Sequence, residues 1–163
     1  MRKEIIFAIA GTLLLAGFGC GQKAAQTALE TATGGQVKID DEGRNMEVRT
    51  KEGTVQLGEQ TSLPESWPAD APAYPGASVT FSSVTNPVDG KGGISVMLQT
   101  SEAGAIVADY YKRELVAQGW VIEATNQFDQ TVSLNASKAG RTLGLTVASD
   151  ETGTSIVETV STN

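Results

Sequence analysis

Between Ser101 and Trp120 the chain carries helical periodicity, a start signal and a stop signal together, and no other stretch does. Ser101 can cap the N-terminus, Glu102 puts negative charge in the first turn, and Gly119 supplies a left-handed residue just past the end. Val107, Tyr110, Tyr111 and Leu115 fall on one side, with Ala103 and Ile106 at its N-terminal end, while Asp109, Lys112 and Arg113 fall opposite. So wide an apolar side needs a sheet to cover it. One residue resists this pattern. At 100° per residue Glu114 falls on the apolar side, close to Val107 and between Tyr110 and Tyr111. Either the helix end overhangs the sheet and the carboxylate reaches water or Lys112 and Arg113, or the acid is buried with a raised pKa.

Strands are expected on both sides of this helix. Alternating apolar runs cover Val79 to Val84, Ile94 to Thr100, Trp120 to Ala124, Val132 to Ala136, Leu143 to Ala148 and Ile156 to Val160. Turn signals separate them at Asn86-Pro87, Asp89-Gly90, Gly92-Gly93, Ala139-Gly140 and Thr152-Gly153. Short turns make neighbours antiparallel, so residues 77–163 read as an α+β domain of order ββαββββ with the helix on one face. Upstream, Val37/Ile39, Met46/Val48 and Val55/Leu57 alternate around Asp41-Glu42-Gly43 and Lys51-Glu52-Gly53, which predicts a three-stranded meander over 36–60. Six apolar side chains are too few for independent stability, so the meander must dock. The acids at its first turn lack calcium-loop spacing and read as a solvated hairpin. Prolines 64, 68, 72 and 75 make 61–76 an extended connector whose Trp67 and Tyr74 can lie on the neighbouring domain. Residues 21–35, with Ala25, Ala28, Leu29 and Ala32 at helical spacing and Gly34-Gly35 as a stop, read as a short helix or tether.

Composition excludes several kinds of chemistry. The formal net charge is −7, and removing Arg2, Lys3 and Glu4 with a leader makes it −8, with no Lys/Arg cluster for a polyanion. Nucleic acid is not an expected partner, and the body should stand off an anionic bilayer. Histidine is absent and Cys20 is the sole cysteine, so neither a Cys/His zinc site, a His-based triad nor an intrachain disulfide can be built. No metal or cofactor is expected. Gly90-Lys91-Gly92-Gly93 lacks the phosphate-loop pattern and reads as a hairpin loop.

The first twenty residues read as an export signal: Arg2 and Lys3, an apolar run from Ile5 to Phe18, then Gly19-Cys20. The run's fourteen positions are short of the roughly 20 that cross a bilayer. The segment resembles a bacterial lipoprotein signal peptide, whose lipobox ends in a small residue and a cysteine that becomes acylated. It departs from that pattern at Gly17 and Phe18. The resemblance implies Cys20 as the lipid-attachment residue, membrane anchoring in the cell envelope and, in a cell with two membranes, the outer one facing the periplasm, since Gly21 and Gln22 follow the cysteine. The other reading is an ordinary signal-peptidase site that leaves Cys20 a free thiol. Over its mature length the chain resembles small, uncharacterised bacterial lipoproteins. Gly34-Gly35, Val37 to Asp40, Leu63 to Ala77 and Tyr110 to Trp120 carry that likeness. It implies an architecture and no catalytic residues.

Three functional readings follow. The first is a non-enzymatic envelope lipoprotein that binds another envelope protein through a sheet face or edge strand. The second is a small-ligand or lipid carrier with a groove between helix and sheet lined by Tyr110, Tyr111, Glu114 and Trp120, although aromatic residues at such positions more often belong to a core. The third is a carboxylate-dependent hydrolase, which would need a second acid at a set distance from Glu114.

Overall fold

The computed structural model describes residues 22–40, 42–59, 61–88 and 91–162. The export signal and Cys20 lie outside the described residues, as do Asp41 and the Asp89-Gly90 turn. The elements run α1 (Gln22–Thr33), β1 (Gln36–Ile39), β2 (Asn45–Arg49), β3 (Gly53–Gly58), β4 (Ser78–Val88), β5 (Lys91–Thr100), α2 (Gly104–Ala117), β6 (Val121–Phe128), β7 (Thr131–Lys138), β8 (Arg141–Asp150) and β9 (Gly153–Thr162).

All nine strands join one antiparallel sheet, in the order β1-β2-β3-β4-β5-β9-β8-β7-β6. The meander therefore docks edge-on rather than face-on: β3 pairs with β4, and the sheet continues without a break. After β5 the chain crosses as α2 to the far edge, then winds back through β6, β7 and β8 until β9 pairs with β5, Val96 opposite Glu158. The α+β class, the antiparallel sheet and the helix packed on one face all stand. A second helix, α1, is present as well.

The core lies between α2 and one face of the sheet. Val107, Ala108, Tyr111 and Leu115 point down from the helix onto Leu134, Ala136, Leu143, Leu145, Val147 and Ile156, all essentially buried. Their spacing is that of a single helical stripe against alternate strand residues. Each of the valine, leucine and isoleucine side chains contributes roughly 1.5–3 kcal/mol by leaving water.

The two ends of α2 differ from the sequence expectation in one respect. Its N-cap is Ala103, with no side-chain cap bond. Ser101 and Glu102 instead belong to the loop, held there because Thr154 Oγ1 donates 2.7 Å to the Glu102 carbonyl. The helix start also packs closely on β8: a Cβ on Gly104 would sit 2.0 Å from Ser149 Oγ, so any larger residue there forces the Ser149 side chain to give way. The C-terminus behaves as expected. Gly119 has φ +82°, and the Gly119 and Trp120 amides donate to the Val116 and Leu115 carbonyls at 3.0 and 2.9 Å. This is the Schellman arrangement, with Trp120 and Leu115 as its apolar pair.

Helix α1 shields the outer edge of β1. Gln26 Nε2 donates 2.6 Å to the Val37 carbonyl, and the Val37 amide donates 3.3 Å to Glu30 Oε1. The outward amide and carbonyl of Val37, which an edge strand would offer to another chain, are thus occupied from within.

Candidate ligand-binding site

The proline-rich connector crosses the core face as a strap, gripped at two points. Near its C-terminal end, Tyr110 Oη donates 3.1 Å to the Ala73 carbonyl and the Tyr74 amide donates 3.1 Å to Tyr111 Oη. The three rings pack edge to face, Tyr74 to Tyr110 at 5.0 Å and Tyr110 to Tyr111 at 5.4 Å. Nearer its middle, Trp120 Nε1 donates 2.6 Å to the Asp70 carbonyl. The Asp70 carboxylate receives Arg141 through two bonds of 2.9 and 2.6 Å and Lys138 at 2.5 Å. Arg141 also lies over the Trp120 ring, 5.1 Å from its centroid. The Arg141 bonds, then Lys138, hold the Asp70 carboxyl well below the usual carboxylate range, and Asp70 in turn raises the Arg141 pKa. Residues dispersed over the sequence thereby fasten a segment that proline bars from any ladder.

The structure brings Tyr110, Tyr111 and Trp120 together, but around this strap. Tyr111 is fully buried and Trp120 is 2% exposed; their polar atoms are engaged with the connector backbone. Glu114 is half-buried on the same helix, near enough to Tyr110 to help burial raise that phenol's pKa. Residue Cys20 lies outside the described residues.

A different acid occupies the core. Glu158, central on β9, is 0% exposed, and neither carboxyl oxygen has a hydrogen-bond partner among the described residues. Burial pushes its pKa up to about 8, and the Tyr111 hydroxyl, close by yet outside hydrogen-bonding geometry, only partly offsets this. Burial and the Glu158 charge together push the Tyr111 phenol upward in turn. At neutral pH Glu158 is mostly protonated, which is how an acid survives among Val96, Leu145 and the helix. Its sequence signal was phase: Ile156, Glu158 and Val160 alternate together, so a strand that buries the two aliphatics must bury the acid between them.

The open end of the helix-sheet layer lies opposite the strap, at the start of α2. A cleft of about 670 Å³ opens there between the first turn of the helix and the β6–β7 and β8–β9 hairpins. Val132 and Val147 line its apolar part and lead directly into the core. Ser149 and Thr154 hydroxyls, 2.9 Å apart, brace its wall. Glu102, Asp129, Asp150 and Glu151 stand around it, and no Lys or Arg does. Asp150 is not free to act as a base: Thr152 Oγ1, the Thr152 amide and the Gly153 amide all donate to it, and the Thr152 bonds lead in holding its pKa below the usual range. Among the described residues no group of three His, Cys, Asp or Glu could hold a metal ion, and no helix is long and apolar enough to cross a membrane.

A family model described as START domain-like matches residues 81–153, which is less than half of the chain. The matched segment runs from β4 to the β8–β9 turn and so contains α2 and nearly all of the cleft lining. No curated protein and no solved structure matches the chain.

Proposed function

We propose that this protein is a lipid-anchored envelope domain that binds a small amphiphilic molecule in the cleft at the start of α2. The carrying observation is the cleft itself: a helix and sheet clamped at one end by the strap and open at the other, with an apolar floor continuous with the core. The likeness of this same segment to START-like domains, which bind lipids or other small ligands, supports the reading. Its rim charge selects within that class. Four carboxylates and no cation disfavour a fatty-acid anion and suit a neutral or positively charged head group. We read the protein as a binder rather than a catalyst: the chain has no histidine for a triad, and of the four carboxylates around the cleft Asp150 is committed to its own turn.

Anchoring is part of this proposal. Acylation of Cys20 would hold the domain in the envelope, since each buried methylene contributes about 0.8 kcal/mol. Displacement of the neutral fluorescent probe N-phenyl-1-naphthylamine by long-chain alcohols, amines and fatty acids tests the site. Alcohols or amines should displace it and fatty acids should not. Ala105→Trp, an exposed position at the mouth, should weaken binding at least about tenfold. No saturable binding, or binding indifferent to Ala105→Trp, refutes the site.

A further inference from the structure

The face of the sheet turned away from α2 has an unusual composition. Two residue rows cross it from β1 to β7 in strict register. One reads Ile39, Met46, Leu57, Phe81, Met97, Val157, Thr146, Ser133; the other reads Val37, Val48, Val55, Ser83, Ser95, Thr159, Gly144, Asn135. Neither contains a charged residue. The corresponding rows of the core face carry Lys38, Glu47, Arg49 and Glu158. In a chain with 19 acids against 12 bases, these two rows are free of charge; on this face toward β6 a carboxylate does stand, Glu123, which accepts from Ser137 Oγ at 2.5 Å.

That surface divides into two halves. Toward β7 it is hydroxyl-rich, with the pairs Ser95–Thr159, Ser133–Thr146 and Thr142–Ser161 bonded across strands at 2.9, 3.5 and 2.8 Å. Toward β1 it is apolar, six aliphatic, thioether and aromatic side chains in one row. Helix α1 covers Val37 and borders Val48 and Val55, but the Ile39 row is left open, with Leu57 and Val157 each 38% exposed. A stripe of that length is more than the scattered apolar residues of an ordinary surface.

Where α1 begins says what lies against it. The chain reverses at Gly34, φ +63°, so α1 runs back along β1, with Gln26 beside Val37. At 1.5 Å per residue its first turn lies about 6 Å further on, beside Ile39 at the end of the apolar row. Cys20 precedes Gln22 by two residues and cannot be more than about 7 Å from it. An acyl chain on Cys20 would therefore enter the bilayer next to this stripe, with no tether long enough to lift the domain away.

We infer that this face, through its uncharged Ile39-to-Val157 row, rests on the bilayer beside the lipid anchor. This rests on Cys20 acylation, and it replaces a domain held off the membrane by its net charge with one lying on its two uncharged rows. No carboxylate on the two rows meets the anionic lipid, apolar side chains meet the interface, and the cleft and strap on the opposite face stay exposed to the aqueous side.

The lone cysteine makes the test clean, because an acylated Cys20 leaves any introduced thiol the sole labelling site. Leu57→Cys, Val157→Cys and, on the outer side of α2, Arg113→Cys would be purified from membranes as full-length mature protein, checked by intact mass, and labelled with bimane. They would then be placed in vesicles of three parts phosphatidylethanolamine to one part phosphatidylglycerol containing nitroxide lipid. The expected result is at least threefold stronger quenching at positions 57 and 157 than at 113, abolished by Met97→Asp. Equal quenching in acylated protein overturns the inference, and so does protection of positions 57 and 157 in detergent with concentration-dependent dimers, which assigns the face to a second copy. An intact mass without acyl chains overturns the anchor reading itself, and the mass distinguishes that failure from the others.

Discussion

Replacing Glu158 with Gln should remove most of the pH dependence of this protein's stability between pH 5 and 8.5. The folded carboxyl holds its proton up to about pH 8, whereas in the unfolded chain it titrates near 4.5. Between these values the folded state binds more protons, so stability is greatest at the acid end and declines as pH rises, by about 1.4 kcal/mol per unit. Over the whole interval that amounts to roughly 5 kcal/mol, a large share of the 5–15 kcal/mol typical of a domain. Burial at 0% exposure leaves no solvent screening to reduce it. The window is also free of histidine titration, because the chain has no histidine. The assay is urea unfolding followed by the fluorescence of Trp67 and Trp120 at pH 5, 6, 7, 8 and 8.5. The wild type should lose several kcal/mol across the series and Glu158→Gln less than about 1 kcal/mol. A wild-type midpoint that does not move, or a variant that declines in parallel, refutes the buried acid.

The strap, the core and the helix start each give a further outcome. Asp70→Asn should destabilise by about 1–3 kcal/mol, since it leaves Arg141 and Lys138 without their shared carboxylate. It should also flatten the acid limb, because a depressed carboxyl contributes stability above its unfolded pKa and loses it as pH falls; unfolding at pH 3 and 6 measures both effects. Leu115→Ala should cost about 2–5 kcal/mol in the same assay, as the side chain is fully buried under α2. Gly104→Ala should cost about 1–3 kcal/mol through the Ser149 Oγ collision, and adding Ser149→Ala should recover most of that in a double-mutant cycle.

Local chemistry made much of this architecture legible. Periodicity placed α2, its Gly119 stop and the strands on either side, because a pleat of period 2 and a helix of period 3.6 leave different marks on the same alphabet. Composition alone removed zinc, triads and disulfides from consideration. Alternation along Ile156, Glu158 and Val160 also contains the buried acid, whereas helical periodicity marks Glu114.

Long-range pairing was not legible. That β9 returns to lie between β5 and β8 depends on contacts more than fifty residues apart, which no local pattern encodes. The use of Tyr110, Tyr111 and Trp120 was hidden for the same reason: their aromatic character was plain, but only the folded chain brings residues 70–74 beneath their polar atoms. The two uncharged rows exist only as a product of register, since their sixteen residues come from eight strands and become one surface once the sheet is assembled. Sequence by itself determined which segments could be helix or strand and which chemistries were absent. Tertiary structure decided which strands are neighbours, and through that the partners of the aromatic residues, the burial of Glu158 and the location of the cleft.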